Sequence, residues 1–134
     1  MIYVIGIGPG SKELMTMQCI DAIKDAEVIV GYKTYINLIT DLIEGKEVVQ
    51  NGMRQEIDRC REAVEIAKTG KKVAVISSGD AGIYGMAGLI LELTAKEEQN
   101  IDVKVVPGVT ASIGAAAILG APIMHDFCHI SLSD

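Results

Sequence analysis

Tryptophan is absent from this chain and phenylalanine occurs once, so that with four tyrosines only five residues in 134 are aromatic. A core must therefore be built from Ile, Val, Leu, Ala and Met, the palette of a buried parallel sheet clad in helices. Cysteine is scarce as well. Cys19, Cys60 and Cys128 are odd in number and too far apart for metal-ligand spacing, which argues against a disulfide scaffold and suits a reducing, cytoplasmic setting. No apolar run reaches the roughly 18 residues of a membrane span. The opening Met-Ile-Tyr-Val-Ile-Gly lacks the basic segment and extended apolar stretch of a signal peptide. Like charges never run longer than the Lys71-Lys72 and Glu97-Glu98 pairs, and the net charge is −6, a balance that excludes nucleic acid as the expected partner. Repeats and low-complexity segments are missing too.

What is present is one domain's worth of chain, able to bury about two-thirds of its unfolded surface. Ile2 to Ile7 is an apolar run ending in glycines, and Ser11 offers a cap for a helix carrying Leu14, Cys19, Ile20 and Ile23. Glu27 to Val30 reads as a buried strand closed by Gly31, Tyr32 to Ile43 as a helix with Ile36, Ile39 and Ile43 on one face, and Glu47 to Gln50 as a strand before an Asn51-Gly52 turn. From Gln55 to Thr69 the residues Ile57, Cys60, Val64 and Ala67 step by three or four, the spacing of an amphipathic helix, and Gly70 stops it. Lys72 to Ser77 is a strand, Ile83 to Ala95 a helix, Val103 to Val106 a strand, and Thr110 to Leu119 an alanine-rich helix. Five β-α units in series, with connections too long for hairpins, predict a three-layer α/β domain: a mainly parallel five-stranded sheet with helices on both faces. The pattern falters between Ala121 and Phe127, and His129-Ile130-Ser131-Leu132 begins another extended run.

Chemistry concentrates where strands end. Gly6-Ile7-Gly8-Pro9-Gly10 follows the first strand, and Ser77-Ser78-Gly79-Asp80-Ala81-Gly82 follows the fourth. Residues without Cβ atoms at the carboxyl ends of parallel strands let backbone N–H groups approach a polar ligand. The first turn serves equally as a tight, ligand-free β-α connection. It matches the dinucleotide fingerprint poorly, with its third glycine one residue early and no acid at the end of the second strand to hold a ribose. Asp80 either caps the following helix or accepts hydrogen bonds from a ligand's ammonium or hydroxyl. Val106-Pro107-Gly108-Val109-Thr110-Ala111-Ser112 closes a third strand end, with Thr110 and Ser112 suited to helix capping or to ligand contact. Gly114 inside the last helix costs about 1 kcal/mol of propensity against alanine, which some close approach should offset.

His125-Asp126-Phe127-Cys128-His129 gathers four possible metal ligands within five residues. Two histidines four apart share a metal comfortably only on a helix, and the residues after them alternate like a strand, so no metal site is expected. No Ser-His-Asp or Cys-His constellation stands out, and no catalytic acid or base is assigned.

Taken in order, Gly6-Ile-Gly-Pro-Gly-Ser11 with Leu14-Met-Thr16, then Ser78-Gly79-Asp80, then Val106-Pro-Gly-Val-Thr-Ala-Ser112, resemble the three motifs of the tetrapyrrole methylase family. Val30-Gly-Tyr-Lys-Thr-Tyr35, Gly79-Asp-Ala-Gly-Ile-Tyr-Gly-Met-Ala-Gly88 and His125 to Asp134 look most like its precorrin-3B C17-methyltransferase branch, whose anaerobic counterpart acts on cobalt-factor III. Ala81 departs from the proline usual in the wider family.

The resemblance implies two α/β domains holding S-adenosylmethionine between them, with residues 1–124 as the amino-terminal domain and 125–134 as a linker into the second. On this expectation the chain is an inactive amino-terminal piece that binds the cofactor poorly alone. The resemblance further implies that Pro9 borders the substrate trough at the edge of a cofactor site lined by Gly79, Asp80, Ala81, Tyr84, Thr110 and Ala111. It also implies a tetrapyrrole substrate, methylation at C17 with ring contraction, and a homodimer. Lys12, Lys33 and Arg54 are the expected cluster for the substrate's carboxylates. Another precorrin methyltransferase of the family, a nucleotide-binding oxidoreductase domain and a non-catalytic assembly module are the competing readings.

Overall fold

The computed structural model describes residues 1–52, 55–121 and 123–132. Five strands, β1 (Ile2–Gly6), β2 (Val28–Tyr32), β3 (Glu47–Asn51), β4 (Val73–Ser77) and β5 (Val103–Val106), form one sheet in the order β3-β2-β4-β1-β5. All four pairings are parallel. β1 and β4 are buried along their whole length, whereas the edge strands β3 and β5 keep exposed positions, as expected when only central strands are covered on both sides.

The period-two alternation of each strand sorts its side chains between two cores. On one face Ile2, Val4, Val28, Val30, Val73 and Val75 meet Cys60, Ala63, Val64 and Ala67 of α3 (Glu56–Lys68) and Ile90 of α4 (Ala87–Thr94). On the other, Tyr3, Ile5, Ile29, Ala74 and Ile76 meet Cys19, Ala22 and Ile23 of α1 (Met17–Asp25) and Ile36 of α2 (Lys33–Asn37). The three expected layers are therefore present.

Three helix boundaries differ from the sequence expectation, each for a local reason. Ser11 makes no side-chain cap; a short 3-10 turn at Lys12–Leu14 intervenes, and Thr16 caps α1 by accepting the Cys19 N–H at 3.1 Å. The stretch from Tyr32 to Ile43 is α2 followed by a 3-10 turn at Thr40–Leu42, yet Ile36, Ile39 and Ile43 all remain buried. The helix expected from Ile83 begins only at Ala87, because the Asp80 carboxylate holds the Gly82 and Ile83 N–H groups in a turn and Tyr84 adopts φ +53°. No strand forms at residues 129–132.

The strand order positions the site. β1 and β2 lead into helices on one face, β3 and β4 into helices on the other, so the direction of departure reverses on both sides of β4. Reversals of this kind open crevices outside the carboxyl ends of the strands.

Candidate functional site

The loops after β1, β4 and β5 are knitted into one rim. Gly8 N–H donates to the Gly79 carbonyl at 3.0 Å and Gly79 N–H returns a bond to the Gly8 carbonyl at 2.8 Å, with Gly79 at φ +61°. A Cβ on Gly108 would stand 2.2 Å from the Gly79 oxygen and 2.6 Å from the Gly6 oxygen, so the third loop passes directly against the first two. A Cβ on Gly79 would meet Thr110 Cα and Ala111 N at 3.6 Å. The start of α5 (Ala111–Leu119) thus sits on the same rim. Gly114 is buried against Pro9, whose Cγ would lie 3.2 Å from an added Cβ, and this is the close approach that offsets its poor helix propensity. Pro9, Gly79, Asp80, Thr110 and Ala111 are therefore neighbours.

Asp80 organises the rim. One carboxylate oxygen, Oδ2, accepts from Gly82 N at 2.8 Å and Ile83 N at 3.2 Å, while Oδ1 accepts from Gly108 N at 2.8 Å. A carboxylate offers about four lone-pair positions, and these bonds use three, which leaves one on Oδ1. The side chain of Ala81 is wholly buried in the α3/α4 core, so only its backbone reaches the rim. Tyr84 projects outward: its hydroxyl donates to the His129 carbonyl and accepts from Ser131 N, both at 3.0 Å, and its ring meets the His129 ring edge-on at 5.3 Å.

Two recesses flank this rim. One, of about 500 Å³, lies between the β4 loop and α5 and is lined by Gly82, Ile83, Tyr84, Thr110, Ser112 and His129 among others. Among the described residues no side chain caps α5, although Thr110 occupies the N-cap position, and the buried Ser112 hydroxyl has no partner. Capping therefore does not account for this Thr/Ser pair.

The second recess, of about 200 Å³, lies between the ends of β2 and β4 and is walled by Tyr32, Tyr35, Arg59, Ser78 and Met86. Ser77 closes its floor, its hydroxyl accepting from Met86 N at 3.2 Å. Sequence reasoning missed this recess. The signal was an arginine four and eight residues before Ala63 and Ala67, on the buried stripe of α3. Beneath it, burial pushes the Cys60 thiol up to about 11 against the opposing pull of the Arg59 charge, which leaves it protonated and inert near neutrality.

Of the expected lysine and arginine cluster, two members lie among the described residues. Lys12 is paired with Asp41, Lys33 opens α2, and Arg54 falls outside the described residues. Among the described residues no group of three His, Cys, Asp or Glu side chains is arranged to hold a metal, and no helix is long and apolar enough to cross a membrane.

Comparison with known proteins adds a family context. The model of the Tetrapyrrole (Corrin/Porphyrin) Methylases matches residues 1–134. A relative from Salmonella typhimurium described as a probable cobalt-factor III C(17)-methyltransferase is 59% identical over 134 residues, which is 100% of this chain and 56% of the relative. The crystal structure of the methyltransferase CobJ superposes with a TM-score of 0.91 at 41% identity, covering 99% of this chain and 56% of that one. A uroporphyrin-III C-methyltransferase from Thermus thermophilus, solved in complex with S-adenosyl homocysteine, gives a TM-score of 0.71 at 26% identity, covering 92% of this chain and 50% of that one. The chain thus spans about half the length of each of these three proteins.

Proposed function

This chain belongs to the tetrapyrrole (corrin/porphyrin) methylases, and from that membership we propose that it forms the amino-terminal part of an S-adenosylmethionine-dependent C-methyltransferase of corrin biosynthesis. The substrate is cobalt-factor III or its cobalt-free counterpart precorrin-3B, methylated at C17. Similarity to the Salmonella relative, a probable cobalt-factor III C(17)-methyltransferase, favours the cobalt form. Residues 1–124 make the domain, and 125–134 lead toward a second one that completes the cofactor site.

One observation carries the reading: three glycine loops locked edge to edge, with a buried and unpartnered Ser112 hydroxyl beside them. Such a rim suits a small polar cofactor, since backbone groups stand open where side chains would block approach. S-adenosylmethionine supplies an electrophilic methyl group on a sulfonium. The backbone of Gly79 to Ala81, the free lone pair of Asp80, and Thr110, Ala111 and Ser112 would hold its polar ends, with Pro9 and Tyr84 at the margins. Aligning donor and acceptor and excluding water is the work asked of these residues, because an electron-rich ring carbon needs no protein nucleophile.

Calorimetric titration of the intact protein with S-adenosylmethionine, S-adenosylhomocysteine and NAD tests the cofactor, and mass spectrometry of cobalt-factor III and precorrin-3B after incubation tests the substrate. Binding of the two sulfur ligands with gain of one methyl group is expected. Binding of NAD instead would move the protein to the oxidoreductases, and binding of none would leave an assembly module.

A further inference from the structure

We infer that the recess between the ends of β2 and β4 is a carboxylate-binding subsite anchored by Arg59. This residue is 3% exposed, yet among the described residues it has no acidic partner: all six ion pairs found among them are made by lysines. Its Nη2 donates to the Gly52 carbonyl at 2.9 Å, and its buried Nε has no hydrogen-bond partner among the described residues. The guanidinium carbon stands 6.0 Å from the centre of the Tyr32 ring, and Tyr32 is steadied edge-on by Tyr35 at 5.2 Å. A buried cation left without a counter-ion is costly, and the planar fork of arginine matches the paired oxygens of a carboxylate or a phosphate.

The surroundings agree. The Gln55 side chain does not cap α3 but accepts from Gly52 N, so the first-turn amides of α3 lack that cap beside Arg59, in a turn that also carries Glu56 and Asp58. The recess holds about 200 Å³, less than the roughly 300–1,000 Å³ that encloses a whole drug-sized ligand. It accommodates one arm of a larger molecule. Glu56 lines the same recess and is exposed, so its charge opposes any anion held there, and it opposes a doubly charged phosphate more than the single charge of a carboxylate against Arg59. That the arm belongs to a tetrapyrrole rests on the reading under Proposed function; the carboxylate chemistry does not.

The test on the 134-residue chain is a titration of ¹⁵N-labelled protein with sodium propionate at constant ionic strength, following the Nε–H resonances of Arg54, Arg59 and Arg61. A saturable shift confined to Arg59, tighter in Glu56→Gln, is expected. Equal shifts at Arg61, no shift, or preference for inorganic phosphate over propionate would each overturn the site, and these readings need no variant that risks misfolding.

In the intact enzyme, Arg59→Lys should raise KM for the tetrapyrrole at least tenfold while kcat and S-adenosylmethionine affinity stay within twofold. A KM change below twofold would remove Arg59 from the substrate. If the wild-type intact protein transfers no methyl group while propionate still saturates the recess, the proposed function fails and the carboxylate site stands.

Discussion

The Gly108 N–H donates to Asp80 Oδ1 at 2.8 Å, across 28 residues of sequence, and so ties the loop after β5 to the loop after β4. The same carboxylate also fixes the turn at Gly82 and Ile83. Asp80 is thus a structural clasp, and only the lone pair that remains is open to a ligand.

Asp80→Asn tests the clasp. An amide presents one acceptor oxygen, so it cannot satisfy donors on both sides of the group, and at least one of the three N–H bonds is lost. Bonds to a charged acceptor contribute about 1.5–3 kcal/mol; urea unfolding should show a loss of about 2 kcal/mol. Calorimetry on the intact protein should show weaker S-adenosylmethionine binding, by about 1–3 kcal/mol. Unchanged stability would mean that the Gly8–Gly79 pair alone holds the rim.

Two glycines should respond in opposite directions to the same substitution. Gly108→Ala drives a methyl group to 2.2 Å from the Gly79 oxygen, a backbone atom that cannot swing aside; a loss of about 2–3 kcal/mol is expected, on the scale of overpacking. Gly88 lies inside α4 with open space where a Cβ would be. Gly88→Ala should therefore gain about 0.5–1 kcal/mol from helix propensity. Thermal melts of the two variants check both signs.

The sheet was legible because the five apolar runs are short, rich in Val and Ile, and punctuated by glycine. The three motif loops were legible as strand ends. What escaped was set by single side chains reaching across the fold. Thr16 rather than Ser11 caps α1 because it presents Cys19, Ala22 and Ile23 to the core. The delayed start of α4 depends on Asp80, whose bonding partners are invisible to helical periodicity. Arg59 escaped because a charge within an amphipathic pattern reads as solvated, and only packing of α3 against β2 and β4 shows that it points inward.

Tyr84 should govern the order of residues 129–131. Its hydroxyl bridges the His129 carbonyl and the Ser131 N–H, from a backbone conformation that L-residues rarely adopt. Tyr84→Phe removes both bonds but keeps the ring contact with His129. Loss of about 1 kcal/mol is expected, read as roughly fivefold faster hydrogen exchange at the Ser131 amide with the sheet amides unchanged. Unaltered exchange there would show that the ring, not the hydroxyl, holds this segment.

The buried thiols predict how stability depends on pH. Burial raises both Cys19 and Cys60 from 9.0 to about 11 in the folded chain. Between those values the unfolded thiols ionise while the folded ones keep their protons, so the unfolded state binds fewer protons and stability falls as pH rises. The contribution is intact below pH 9 and is lost progressively toward pH 11, on the order of 2 kcal/mol for each thiol. Urea titrations at pH 8, 9, 10 and 11 should show this decline, and Cys19→Ala with Cys60→Ala should make it shallower, leaving the part due to Tyr3 and to Lys68, Lys71 and Lys72, whose values are also raised by their acidic partners. At pH 8 a thiol reagent should modify exposed Cys128 at once and the other two only at the rate of unfolding. Rapid labelling of all three at that pH would mean that the two faces of the sheet are less tightly closed than their burial implies.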